Sequence, residues 1–366
     1  MNSTRSLVKK LTNLSSIKSD ADEHGFYLIE RNKYFNEIQQ NLFDNKNHVK
    51  WIVIHGMGGI GKTTLIQQFI KKLLNEKNAD LFDDKTTAII WINSKNSNSI
   101  EEMFTGHMAE CLNCAREEKM SNEDFIKKVK EQLIKKKINC FLIFDNLQSF
   151  DDIRHLISDL NSNQFKIIIT TRPRINFKPT EKNNFKCIEP EMFDKEQANE
   201  YLMQNLEREF SSESLKKEKL NEFLQLYFQN RNQILPLMIR LVVGLLNEDQ
   251  LTKLNDKIRK EELSKDVYEK IAIELLTDKI EEESLDFKLL TIVSILDGSS
   301  IQLDFLVSNN ILLENETNNI NECLEKFERN CLIETTNRDD SITIMIHDVI
   351  QETIRKKYEE NQKYNS

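Results

Sequence analysis

The sequence predicts an α/β fold, a P-loop doubly wound parallel sheet followed by a small helical domain and a winged-helix domain. Short apolar runs alternate with helical stretches over the first half of the chain, the pattern of parallel strands buried on both faces. One of these runs enters a glycine-rich turn and then a helix, at Gly56-x-x-x-x-Gly61-Lys62-Thr63. The second half is helical and closes with two apolar-rich runs around a polar turn. The expected divisions are a tail over 1–25, a P-loop α/β domain over 26–188, a helical domain over 189–265 and a winged-helix domain over 266–366.

Residues 1–25 are polar and lack strong periodicity, so a loose tail or one short helix is expected there. Phe26 to Arg31 reads as an extended piece leading into a helix through Leu42. Trp51 to His55 is the first buried strand, and Leu65, Ile66, Phe69, Ile70 and Leu73 repeat at helical spacing after the turn. Further strands are expected at Ala88–Ile92, Cys140–Phe144, Lys166–Thr170 and, more weakly, Phe185–Ile188. Helices over Ser99–Arg116 and Glu123–Lys136 separate them. Asp194 with Gln197 forms a capping box that opens a helix through Leu206. The last unit begins near Asp266, with helices over Val267–Lys279 and Leu285–Leu296. Cys331–Thr336 and Ser341–Ile346 then flank Asn337–Asp340 as a hairpin, and Asp348 with Gln351 reads as the cap of the final helix.

The chemistry begins at the glycine turn. Four of the chain's eight glycines lie between Gly56 and Gly61, which is hard to ascribe to chance in so glycine-poor a sequence. Gly56, Gly58, Gly59 and Gly61 let the backbone curl so that N–H groups face a phosphate, with Ile60 and Thr64 completing the binding set. Lys62 is placed to reach the β- and γ-phosphates and Thr63 to ligate Mg²⁺. The strand Phe141 to Phe144 ends in Asp145, a carboxylate placed beside the same metal. Lys166 to Thr171 ends in hydroxyls and Arg172, a cation able to tell a triphosphate from a diphosphate by the extra charge.

Composition narrows the classes of partner. A net charge of −9 and a pI near 5.4 argue against general affinity for nucleic acid or anionic membranes. The most apolar run, Ile234–Leu246, has thirteen residues broken by Arg240, too short and too charged to span a bilayer. The N-terminus lacks the apolar core of a secretion signal. Six cysteines spread over the chain form no disulfide framework, so a reducing, cytoplasmic setting is expected. His107, Cys111 and Cys114 share helical spacing but have no convincing fourth ligand, which favours a packed helix face over a zinc site.

Taken in order, the segments GMGGIGKTT, FLIFDN, KIIITTR, ILPLMI and MIHD resemble the nucleotide-binding core of the NB-ARC family, from about residue 26 to the end. That family includes apoptotic protease-activating factors, plant disease-resistance proteins and bacterial signalling ATPases. The resemblance implies that Ile29 and Arg31 hold the adenine, that Pro236 packs on the base or ribose, and that His347 touches the β-phosphate of bound ADP. It implies an adenine nucleotide, ADP or ATP with dATP as a further choice, together with Mg²⁺. It also implies a switch held closed by ADP that opens on ATP exchange, self-associates and signals in apoptosis or innate immunity. Asn146 stands where the family usually has a second acid after the metal-binding aspartate. Asparagine orients a water but cannot accept its proton, so hydrolysis is expected to be slow or absent. No effector or sensor module of the kind usual in the family is expected within these residues. Two rival readings follow from the same residues: an ATPase with sustained turnover, and a winged-helix DNA-binding regulator.

Overall fold

A computed structural model describes residues 29–43, 51–75, 87–95, 97–112, 114–136, 139–157, 159–160, 164–172, 185–209, 214–229, 231–247, 250–259, 268–278, 280, 284–296, 301–309, 311, 317–338 and 341–364. The expected tail over 1–25 lies outside them. The chain divides into two compact units. The first holds residues 30–57 and 61–190; the second holds residue 29, the loop residues 58–60 and residues 191–366.

The first unit is built on β1 (Trp51–His55), β2 (Thr87–Asn93), β3 (Asn139–Leu147), β4 (Phe165–Thr171) and β5 (Phe185–Ile188), paired in parallel in the order β2-β3-β4-β1-β5. Successive residues of each strand point to opposite faces, and both faces are covered. Val53, Ile90, Leu142, Phe144, Ile167 and Ile169 face one core, shared with α3 (Ser97–Leu112), α4 (Asn122–Lys135) and α5 (Asp151–Ile157). Ile52, Ile54, Ile89, Phe141, Ile143 and Ile168 face the other, shared with α1 (Asn32–Phe43) and α2 (Lys62–Asn75). The unbroken apolar runs of the sequence are therefore two alternating sets, one per core. Helix α4 starts where the Ser121 hydroxyl accepts the Asp124 N–H, with Glu123 and Asp124 in its first turn.

The second unit gathers α6 (Lys195–Glu209), α7 (Ser214–Gln229), α8 (Pro236–Asn247), α9 (Leu251–Arg259) and α10 (Tyr268–Thr277) around one apolar core. The Asp194–Gln197 box is formed: the Gln197 N–H donates to Asp194 Oδ1 at 2.8 Å, and the Asp194 N–H to Gln197 Oε1 at 3.2 Å. Helix α8 is apolar on nearly every side and packs against α6, α9 and α10, which is why its sequence shows no polar face. Pro236 is its first residue, where a missing N–H costs nothing and a fixed φ suits the helix.

The chain continues as α11 (Leu285–Ile295), β6 (Ile301–Gln302), α12 (Leu303–Ser308), α13 (Thr317–Arg329), β7 (Ile333–Arg338), β8 (Ser341–Ile346) and α14 (Asp348–Tyr364). The strands pair antiparallel in the order β6-β8-β7, with Ile333 opposite Ile346 and Ile301 opposite Ile344. This is a winged helix. The cap of α14 differs from the sequence expectation. His347 is the capping residue: its carbonyl accepts the Gln351 N–H at 2.9 Å and its Nδ1 accepts the Val349 N–H at 3.2 Å. Asp348 is the first helical residue instead. The buried Gln351 amide leaves the expected box and donates to the carbonyls of Leu296 at 2.9 Å and Val293 at 3.4 Å, satisfying the open end of α11.

Candidate functional site: a phosphate loop and a strand-end carboxylate

The loop between β1 and α2 turns by placing glycine where φ is positive, at Gly59 (80°) and Gly61 (86°), with Ile60 between them at negative φ. Such alternation makes a concave nest of backbone N–H groups suited to an anion. Helix α2 then starts at Lys62, so its positive end adds to the same place. Lys62 is 8% exposed, and its Nζ donates back to the carbonyls of Gly56 at 2.7 Å and Met57 at 3.0 Å. The ammonium is thus folded into the mouth of the loop. Arg31 lies beside it. Its Nη2 is 4.0 Å from where a Cβ on Gly61 would sit, and its carbonyl accepts the Tyr34 and Phe35 N–H groups to start α1.

Asp145 stands at the carboxyl end of β3. The Thr63 hydroxyl donates to its Oδ1 at 3.0 Å and its Oδ2 at 3.1 Å. With the Thr63 proton directed at the carboxylate, the hydroxyl lone pairs are left for a cation. The site therefore fits a divalent metal: a hydroxyl and a carboxylate, both hard oxygen donors, joined by a hydrogen bond. Thr63 and Asp145 would hold Mg²⁺, which would neutralise charge on the phosphates.

The backbone fixes this arrangement from two further strands. The Ser94 N–H, at the end of β2, donates to the Asp145 carbonyl at 2.7 Å. On the other side, β4 lies between β1 and β3 and contributes Thr170, whose hydroxyl donates to Asp145 Oδ1. Sequence reasoning noted hydroxyls at this strand end but assigned Thr170 no role. The signal was there, since a threonine pair closing an isoleucine run breaks the apolar pattern. The spatial reason was not, because the neighbour order of the strands is invisible along the chain. Arg172 directly follows β4, whose Thr171 is opposite His55 in the register. Asn146 occupies a bulge at φ 63°, and its N–H donates to Thr170 Oγ1 at 2.7 Å. Thr64 follows Thr63 in the first turn of α2.

The remaining predicted site residues fall in the second unit. Ile29 and Ile60 share a buried cluster with Leu235 and Leu237. Gly59 touches the start of α8: its carbonyl accepts the Leu237 N–H at 3.2 Å, and a Cβ added to it would lie 2.8 Å from Leu237 Cβ. Glycine is needed there for space as well as for φ. Pro236 heads α8, and His347 heads α14.

Residues 31–209 match the NB-ARC domain model. This stretch is an NB-ARC core. The chain is accordingly a nucleotide-binding P-loop NTPase. No curated protein matches it. Among solved structures, it is similar to a signal transduction ATPase with numerous domains and a tetratricopeptide-repeat sensor from Pyrococcus horikoshii, at 18% identity and a TM-score of 0.50, covering 91% of this chain. It spans 43% of that protein, less than half its length. It is also similar to Cdc6p from Pyrobaculum aerophilum, at 16% identity and a TM-score of 0.46, covering 94% of this chain and 98% of that one. The ORC1 protein of Aeropyrum pernix, solved in complex with DNA, matches at 12% identity and a TM-score of 0.45, covering 97% of this chain and 96% of that one. At such identities the likeness to the Pyrococcus ATPase is one of fold. No helix of the described residues is long and apolar enough to cross a membrane.

Proposed function

We propose that this protein is a nucleotide-controlled conformational switch that signals in apoptosis or innate immunity, held closed by ADP and released by exchange for ATP. The observation that carries this reading is the Thr63–Asp145 pair set behind the Lys62 loop in an NB-ARC core. In the closed form Lys62, the loop N–H groups and His347 hold the diphosphate, while Ile29, Arg31 and Pro236 hold the adenine and ribose. In the ATP form the γ-phosphate engages Arg172, the His347 contact loosens, and surfaces for self-association are released. We further propose that the second unit moves as two parts, a helical domain ending near residue 265 and the winged helix after it. Moving such an equilibrium from about 1:99 to 99:1 takes roughly 5.5 kcal/mol of differential binding. A few charge-assisted hydrogen bonds at ~1.5–3 kcal/mol each are enough.

Slow or absent hydrolysis belongs to the same reading. Asn146 is held at positive φ, which asparagine and aspartate both tolerate better than other side chains do. Asn146→Asp therefore changes the chemistry more than the backbone. If the second carboxylate is the missing base, this variant releases phosphate measurably faster than the parent. The exposed face of α13, the helix a DNA-reading winged helix would present, carries Glu322 and Glu325 beside Arg329. That charge pattern supports a signalling role over a DNA-binding one. The direct test is to identify the nucleotide that co-purifies and to compare small-angle scattering of the ADP and ATP complexes. Recovery of ADP and an expansion on exchange are expected. A chain that takes up no adenine nucleotide under any magnesium condition overturns the proposal.

A further inference from the structure

We propose that Thr170 is the positioning residue of the metal site, clamping Asp145 so that this buried hydroxyl governs the affinity for Mg²⁺ while leaving the nucleotide's own affinity untouched. The inference rests on the nucleotide reading above and goes one step deeper into the same site.

The argument starts from the register. Phe144 is opposite Ile169, and Leu147 is opposite Thr171, so Asp145 and Asn146 together face the single residue Thr170. A bulge of this kind leaves an extra backbone N–H outside the ladder. Here that group is the Asn146 N–H, and the Thr170 hydroxyl oxygen accepts it at 2.7 Å. The same hydroxyl gives its one proton to Asp145 Oδ1. Thr170 is 1% exposed, so water does not compete for either bond. One side chain thus ties the backbone after the carboxylate to the carboxylate itself, and both are fixed in rotation. The Thr63 hydroxyl approaches the same carboxylate from α2. Asp145 is held from both flanks.

The bulge is what makes this possible. In a regular ladder the residue opposite Thr170 would take its backbone hydrogen bonds, leaving the hydroxyl no neighbouring donor. With two residues facing one, the hydroxyl becomes a bridge across the irregularity. Partners of this kind, which orient a ligating carboxylate without touching the metal, commonly carry about 10–100-fold in metal affinity. Lys62, the loop N–H groups and the adenine contacts do not pass through Thr170, so affinity for ADP without metal is independent of it.

The test uses the full chain, a fluorescent ADP analogue and a Mg²⁺ titration, with Thr170→Val as the isosteric loss of the hydroxyl and Thr170→Ser as its retention. The valine variant is expected to need about tenfold more Mg²⁺ to reach the metal-bound state, with ADP affinity in EDTA within about twofold of the parent. The serine variant is expected to keep the parent midpoint. Mn²⁺ binding to the ADP complex, followed by electron paramagnetic resonance, gives a second reading of the same order. Should the valine variant fail to fold, judged by its melting curve in EDTA, Thr170→Cys carries the test, since a thiol of similar size is a poor hydrogen bonder. An unchanged Mg²⁺ midpoint overturns the inference. So does an equal loss with and without metal, which would make Thr170 a general support of the loop. Failure of the parent itself to bind any adenine nucleotide sinks the nucleotide reading and this inference with it.

Discussion

The strand ends of the first unit and the helix ends of the winged helix solve the same problem in different ways. Both must hold a polar group in a fixed direction. At the end of β3, Asp145 is oriented by short hydroxyl side chains and a backbone N–H from neighbouring strands, with Thr170 and Ser94 fully buried. At the start of α14, His347 is oriented by its own cap, while the helix behind it is moored by long side chains. Gln351 and Arg355 reach the carbonyls at the end of α11, and Lys357 reaches Thr277 and Asp278 at the end of α10. The short, buried Thr170 hydroxyl has little freedom and little access to water. The Arg355 and Lys357 side chains, partly exposed, exchange for water at smaller cost, although the Gln351 amide is buried. The comparison teaches that the strand-end carboxylate is held by buried, preorganised contacts, whereas the mooring of α14 also uses side chains open to water.

The strongest way to break this contrast is to remove the charge at the centre of the preorganised end. Lys62→Ala is expected to weaken adenine nucleotide binding by about 100-fold, since an ammonium–phosphate bond is worth ~1.5–3 kcal/mol, measured by calorimetric titration. A variant that binds within about threefold of the parent would remove the phosphate loop from the account.

The second unit also contains a close contact, a seam between α8 and the backbone before β7, and its strength sharpens the contrast by showing how firmly the winged helix is held to the helical part. A Cβ on Gly244 of α8 would lie 2.4 Å from the carbonyl oxygen of Asn330, just before β7, so helix and backbone touch there with no room for a side chain. Gly244→Ala is expected to cost about 1–3 kcal/mol, read as a lower urea midpoint at unchanged slope. An alanine variant as stable as the parent would show that the seam yields. Gln351→Leu tests the mooring beside it. Leaving the α11 carbonyls without their donor is expected to cost about 1–2 kcal/mol by the same measurement, less than the seam.

His347 separates the two ideas most finely. His347→Asn keeps a good capping residue and removes the imidazole. It is expected to change stability by less than about 0.5 kcal/mol while loosening the ADP complex in small-angle scattering. A variant as compact with ADP as the parent counts against the proposed β-phosphate contact. The smallest expected effect concerns Cys323 on α13. Burial, and then a hydrogen bond to Asp286, push its thiol up to about 12, so it remains protonated throughout the neutral range. Alkylation at pH 8 should mark the exposed Cys187 first and Cys323 only on unfolding.

Much of the fold was legible in the chain because it depends on local pattern. Trp51–His55 was readable to the residue, since a buried parallel strand must be apolar on both faces whatever its neighbours are, while Phe185–Ile188, at the sheet edge with Cys187 exposed, carried the weaker pattern of a strand less fully covered. The hairpin before α14 was legible for a related reason, though its turn proved tighter: β7 extends to Arg338, paired with Ser341. The cap of α14 was misplaced by one residue. Aspartate at the first helical position and aspartate as cap look alike in sequence, and only the direction of the Gln351 side chain, drawn away to the end of α11, separates them.

By itself, then, the sequence determined the glycine loop, its lysine and threonine, the strand-end aspartate, and the alternation of strands and helices. Each is a matter of residue type at fixed spacing along one segment, and covalent connection carries such information. Tertiary structure alone decided that β4 lies between β1 and β3, that β3 bulges at Asp145 and Asn146 and so gives Thr170 its bridge, and that Gly244 meets the backbone at Asn330. Those facts depend on which segments lie side by side, which burial of the whole core settles and no single stretch of chain encodes.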